Sequence, residues 1–227
     1  MLTVEKIGGT SMSALGDVIK NIILYNRTGD ALYNRIFVVS AFSGVTNLLL
    51  ENKKTGAPGV YHRIARHEDF INQLDSLIEQ LKNINNQYES LGLDIEAANH
   101  FIENHVHHAQ GFLVNLSDIL ASGYVSTEGI LQAAREILAS IGESHSAFVF
   151  TNILQNKGIN ATLVDLSGFY DHEPYTIDQR IHQAFRDIDF SKTICIATGY
   201  TKGTEGIMRE FDRGYSEVTF SKIAVAV

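Results

Sequence analysis

The stretch Thr3-Val4-Glu5-Lys6-Ile7-Gly8-Gly9-Thr10-Ser11 decides the fold. A run rich in β-branched residues predicts a strand over Thr3–Ile7, and the paired glycines break it into a loop over Gly8–Ser11. Beyond the loop, Leu15, Val18, Ile19, Ile22 and Ile23 recur at helical spacing and give one apolar face. Arg35–Ser40 encloses Ile36-Phe37-Val38-Val39, a continuous apolar run that predicts a strand buried on both sides. A short helix follows around Val45–Glu51. Strand, helix, strand and helix inside the first fifty or so residues point to a parallel α/β sheet.

The middle of the chain changes character. Lys53-Lys54-Thr55-Gly56-Ala57-Pro58-Gly59 reads as a loop. Ile64, Ile71, Leu74, Ile78 and Leu81 then fall on one helical stripe, which Asn83-Ile84-Asn85-Asn86 weakens. A second helix is predicted from about Ile95 to Ala121, with Phe101, Phe112, Leu116, Ile119 and Leu120 as core candidates, and a third from about Thr127 to Ile141. Together these predict a helical insertion at about 55–145. A further helix carries Phe148, Thr151 and Leu154 and ends at Gly158. Ala161–Leu166 reads as a strand. Thr176 and Gln179 have capping-box spacing ahead of Ile181 and Phe185. Thr193–Ala197 is another buried strand, and Gly199–Tyr215 is a polar, Gly-rich loop or hairpin. Lys222–Val227 is ambiguous between strand and helix. The apolar ending predicts a truncated chain.

Composition narrows the function. The 227 residues carry 18 Lys+Arg against 26 Asp+Glu, a formal charge of −8, which argues against nonspecific nucleic-acid binding. No apolar run reaches the roughly 18 residues that cross a bilayer. Met1–Lys6 lacks a signal-peptide pattern. A single cysteine, Cys195, cannot form an internal disulfide and fits a reducing cytoplasm; apolar neighbours make it a core residue. An acidic chain that handles an anion needs local cations, so individual Lys and Arg residues matter.

Three segments can carry chemistry. In Lys6-Ile7-Gly8-Gly9-Thr10-Ser11, a lysine at a strand end can face a phosphate while glycines let backbone N–H groups approach its oxygens; the alternative is an ordinary turn. In Ser40-Ala41-Phe42-Ser43-Gly44-Val45-Thr46-Asn47, hydroxyls between strand and helix offer donors to an anion; the alternative is plain N-capping by Ser43. In Gly206–Thr219, Arg213 can grip a carboxylate in a bidentate pair and Ser216 can cap the last helix; the alternative is a solvated charged loop. His100, His105, His107 and His108 form a fourth group, read as helix-face polar residues with metal binding as the rival.

Taken in order, these segments resemble the aspartokinase family. Lys6–Ser11 is similar to its Lys-Phe-Gly-Gly-Thr-Ser opening, and Ser40–Leu49 to its Ser-x-x-x-Gly-x-Thr-Asn-Leu-Leu segment. Gly142-Glu143 resembles a Gly-Glu pair that starts a helix. Ile196–Tyr200 resembles the strand and turn before the substrate loop. Asp212–Thr219 is similar to Gly-Arg-Gly-Gly-Ser-Asp-Tyr-Thr. Asp212, Tyr215 and Glu217 depart from that last pattern, and Tyr215 replaces a glycine. These departures resemble the divergent aspartokinases associated with ectoine synthesis.

The resemblance implies a three-layer α/β/α sandwich of the amino-acid kinase type, with residues 1–227 as the N-terminal, amino-acid-binding part, no ACT domain, and the nucleotide-binding part missing. It implies transfer of the γ-phosphoryl of ATP to the β-carboxylate of L-aspartate, giving β-aspartyl phosphate. Lys6 and Glu217 would be catalytic. Lys6, Gly8, Gly9 and Ser11 would hold phosphate, and Ser40, Thr46, Glu143, Arg213 and Ser216 would hold the amino acid. Mg²⁺ would arrive with ATP, with no dedicated metal site. A cytoplasmic homo-oligomer is expected, with little activity from this chain alone. The rival functions are a nucleotide-incompetent folding or association module and a kinase for another amino acid.

Overall fold

The computed structural model describes residues 1–211 and 214–227. Four parallel strands form one sheet in the order β1-β2-β4-β3: β1 Thr3–Ile7, β2 Arg35–Val39, β3 Ala161–Val164 and β4 Ile194–Thr198. Central β2 and β4 are buried at every position, as a sheet covered on both faces requires. Edge strand β1 tolerates Glu5 because Arg35 binds it in a fork, Nε to Oε1 at 3.0 Å and Nη2 to Oε2 at 3.2 Å.

Short helices α1 (Gly9–Met12) and α2 (Leu15–Val18) follow β1. A π-helical turn, Ile19–Ile23, extends α2. Its extra residue per turn brings Ile23 into the core and leaves Ile22 38% exposed, so the expected apolar face is one residue narrower. After β2 come α3 (Val45–Leu49), α4 (Val60–Ala65), α5 (Ile71–Asn86), α6 (Ile95–Ser122) and α7 (Thr127–Asn156). Ile64 and Ile71 belong to separate helices. His67 adopts φ 57°, and Asp69 Oδ1 accepts the Ile71 N–H at 3.0 Å to start α5 afresh. α5 runs unbroken through its asparagines, because Asn85 is buried and bonded to other side chains. α6 buries Leu113 and Leu120, but Ile119 is exposed and Phe112 lies half-exposed against His108 and Phe169.

The largest departure is α7. A break was expected after Ile141; instead one helix of 30 residues spans both predicted helices. Gly142 marks close packing: a Cβ there would stand 2.9 Å from Ala41 Cβ and 3.1 Å from Val45 Cγ1. The helix ends where expected, with Gly158 at φ 77° and its N–H bonded to Gln155 O.

Then come α8 (Ile177–Phe185), α9 (Ile207–Phe211) and α10 (Tyr215–Ala226). The Thr176–Gln179 capping box closes in both directions, at 3.2 and 2.9 Å. No hairpin forms among the described residues of 199–215, and the ambiguous terminal segment is the end of α10. α7 packs on β2, β3 and β4, while α10 packs on β1, β2 and α8. Right-handed crossovers place α7 on one face and α8 on the other, giving three layers. The connection leaving β2 and the one leaving β4 thus go to opposite faces, which opens a crevice between their C-terminal ends. No helix among the described residues is long and apolar enough to cross a membrane.

Candidate functional site

That crevice holds most of the sequence-predicted residues. Lys6 projects from β1, Ser40 leaves β2, and Gly199 leaves β4. Gly199 N–H bonds to Val39 O at 2.9 Å, and a Cβ at Gly199 would stand 2.8 Å from Ser216 Cβ and 2.9 Å from Glu143 Oε2. Only glycine lets β4 end so close to α7 and α10.

A chain of hydroxyls crosses the crevice. Ser40 Oγ donates to Ser216 Oγ at 3.2 Å, and Ser216 Oγ donates to Glu143 Oε1 at 2.6 Å. Ser146, one turn beyond Glu143, donates to the Ser40 carbonyl at 2.9 Å and so ties the β2 exit to α7. Beside this chain, Lys6 Nζ meets Glu217 Oε1 at 2.7 Å. A cavity of about 290 Å³ opens here, lined among others by Gly9, Ser40, Thr46, Glu143, Tyr215 and Ser216. Gly44 turns the chain into α3 at φ 89°, so Ser43 does not cap that helix.

Glu143 is 1% exposed. Burial pushes its carboxyl up to about 8, against the opposing pull of the Ser216 hydroxyl, the Lys6 charge and the Ala41 backbone. Its Oε2 has no hydrogen-bond partner among the described residues. Burial alone would also raise Glu217, but its hydrogen bond and charge pairing with Lys6 hold it below the ordinary range. Among the described residues the cleft therefore offers a cation, Lys6, paired to a carboxylate at its mouth, and a buried carboxyl that a ligand cation would ionise.

The predicted residues divide as follows. Lys6, Ser40, Glu143, Ser216 and Glu217 are joined by the contacts above, and Gly9 and Thr46 line the same cavity. Gly8 lies beside Lys6: a Cβ there would be 3.6 Å from Nζ. Ser11 is exposed on α1, and Thr10 rather than Ser11 reaches the cavity wall. Arg213, with Asp212, lies outside the described residues. Ser216 sits in the second position of α10, too late to cap it, and spends its hydroxyl on Glu143. Glu143 lies in mid-helix rather than at a helix start. Tyr215 needs no glycine conformation, since it opens α10 and is not among the residues with positive φ. Cys195 is buried, and burial pushes its thiol up to about 12, which fits a core residue.

The four histidines do not converge. His105 is buried against Phe101 and Phe169, while His100, His107 and His108 are exposed. Among the described residues, no group of three or more His, Cys, Asp or Glu could hold a metal ion. Sequence reasoning missed Ser146 and Glu136. Both share the Glu143 face of α7, and for Glu136 that relation was hidden by the break expected after Ile141.

A parallel three-layer fold with a polar cleft at its strand ends defines an α/β protein built to hold a small charged ligand. The chain belongs to the amino acid kinase family, whose model matches residues 1–227. It is 45% identical to the aspartate kinase Ask_Ect of Stutzerimonas stutzeri (strain A1501) over 229 aligned positions, covering 100% of this chain and 48% of that protein. Among solved structures it resembles E. coli aspartokinase III in complex with aspartate and ADP (R-state), with TM-score 0.65 and 20% identity, over 100% of this chain and 47% of that one. The same enzyme in complex with lysine and aspartate (T-state) gives TM-score 0.61 and 22% identity, over 99% and 47%. The chain thus spans about half the length of the proteins it matches.

Proposed function

We propose that this chain is the amino-acid-binding part of an aspartate kinase, which transfers the γ-phosphoryl of ATP to the β-carboxylate of L-aspartate. The observation that carries this reading is the meeting of Lys6, Ser40, Glu143, Ser216 and Glu217 in one cleft from four separate segments. The names of its relatives, an aspartate kinase and an aspartokinase crystallised with aspartate and ADP, supply the substrates.

Phosphoryl transfer needs alignment and charge neutralisation more than covalent help from the protein. In this cleft Lys6 neutralises charge on the transferring group. Gly8 and Gly9 leave the first-turn N–H groups of α1, which have no intrahelical partners, free of side-chain cover. Glu143, once ionised, pairs with the substrate ammonium, and the Ser40 and Ser216 hydroxyls orient around it. Arg213 is assigned the α-carboxylate, Thr46 faces the β-carboxylate, and Glu217 steers Lys6. ATP brings Mg²⁺ with it; among the described residues the cleft carboxylates Glu217 and Glu143 meet Lys6 and Ser216. A working homo-oligomer in the cytoplasm fits this role.

The test is calorimetric titration of the chain with L-aspartate. Wild type binds, and Ser216→Ala weakens binding about tenfold or more through loss of a charge-assisted hydrogen bond. Glutamate binding as tightly as aspartate, or no amino acid binding at all, overturns the assignment.

A further inference from the structure

Glu136 lies seven residues before Glu143 on α7, two turns away on the same face and about 10.5 Å along the axis. Its carboxylate serves two distant points of one segment. Oε2 accepts the Tyr200 hydroxyl at 2.8 Å, just after β4. Oε1 accepts the Met208 N–H at 2.8 Å, in the first turn of α9, and Gln132 Nε2 at 3.0 Å. The intervening chain passes so near that a Cβ on Gly206, which has φ 76°, would stand 3.0 Å from Oε1. Tyr200 is buried, and burial with the adjacent Glu136 charge pushes its hydroxyl well above the ordinary range, so it remains a donor. Its ring meets the Tyr215 ring edge-on, with centroids 6.0 Å apart, and Tyr215 immediately precedes Ser216.

We propose that Glu136 is a positioning residue that pins both ends of the 200–208 segment to α7 and so presents Ser216 and Glu217 to Glu143 and Lys6. The consequence for ligand binding rests on the reading of the cleft as an aspartate site; the pinning itself does not. One helix then holds the segment with two carboxylates, Glu136 at Tyr200 and Met208, and Glu143 at Ser216. The segment has further anchors: Thr201 and Thr219 share a hydrogen bond of 3.0 Å, and Glu205 accepts the Ile177 N–H at 3.1 Å. Loss of Glu136 should therefore loosen the segment without unfolding the protein.

The experiment compares wild type, Glu136→Ala, Glu136→Gln and Tyr200→Phe by calorimetry with L-aspartate and by amide hydrogen exchange. Gln retains an acceptor for Met208 and gains a donor for the Tyr200 oxygen, so it preserves the pinning without the charge. Glu136→Ala is expected to weaken aspartate binding about tenfold or more and to speed exchange over 207–217 while the strands keep their protection. Glu136→Gln should stay within about threefold of wild type, since both contacts survive. Tyr200→Phe should lie between them, and it carries the test if Glu136→Ala does not fold. Wild-type affinity and exchange in Glu136→Ala and Tyr200→Phe overturn the proposal, as does equal loss in Glu136→Ala and Glu136→Gln. If wild type fails to bind aspartate, the substrate reading falls, and faster exchange over 207–217 in Glu136→Ala still supports the pinning.

Discussion

Glu143 and His145 lie two residues apart on α7, and burial moves their proton equilibria in opposite directions. His145 is held down to about 3; it donates from Nε2 to Asn85 Oδ1 at 2.7 Å as a neutral ring. Between about pH 6.5 and 3 the unfolded chain binds this proton and the folded one does not, so stability falls as the pH drops through that window. Glu143 is raised to about 8. From about 4.5 to 8 the folded state holds the extra proton, so its contribution is full at low pH and is lost as the pH rises, by a total on the order of 5 kcal/mol. Urea unfolding across pH should therefore show Glu143→Gln losing the decline between pH 4.5 and 8, and an unchanged slope would reject the raised carboxyl. On the proposed reading, the substrate ammonium needs the ionised form. L-aspartate binding at pH 7 should then release a proton, seen as a binding heat that depends on the ionisation enthalpy of the buffer. A buffer-independent heat would remove Glu143 from the ammonium contact.

At the scale of elements, α7 carries Glu143 together with Ser146 and Glu136, and it is the element that sequence patterning divided. Gly142 suggested a break, yet its missing side chain is filled by Ala41, Val45 and Leu49 from the β2 exit and α3. Gly142→Val should cost about 2 kcal/mol or more by overpacking this contact. Gly129→Ala, in the same helix with nothing within 4 Å, should gain roughly 0.5–1 kcal/mol from propensity. Urea midpoints of the two variants moving in the same direction would refute this division. The strands were legible because Ile36–Val39 and Ile194–Ala197 are short apolar runs with no competing reading, and the Thr176 box because its chemistry is local. The strand-end residues Lys6 and Ser40, and Ser216 on α10, were legible through motifs. Glu136 was not, because its relation to Glu143 exists only if the helix is continuous, and Ser146 was not, because its partner, the Ser40 carbonyl, is distant in sequence. The buried role of Asn85 was also hidden, since its partners His145 and Asn99 come from other helices.

At the scale of the molecule, the helices of 60–122 and the sheet share one buried core. α7 packs against α6, with Phe148 stacked on Phe101, and also against β3 and β4, so the same helix is part of both layers. Tyr88, which follows α5, donates to the Met12 carbonyl at 3.2 Å and stacks on Phe42 with centroids 5.3 Å apart, and Phe42 in turn meets His145. Central pairing of β2 with β4 also requires residues on either side of all the long helices. A helical insertion that folds by itself would have to give up these contacts, and α5 and α6 alone would leave the apolar faces they turn to α7 in water. We therefore expect one cooperative transition, in which helical circular dichroism and the fluorescence of the nine tyrosines share a midpoint in urea. On the proposed reading, L-aspartate bound in the cleft should shift both signals together, by about 2.7 kcal/mol at a free concentration 100 times its Kd. A helical signal that survives beyond the tyrosine transition, or that ignores aspartate while the tyrosines respond, would establish the helices as a separate unit and overturn this expectation.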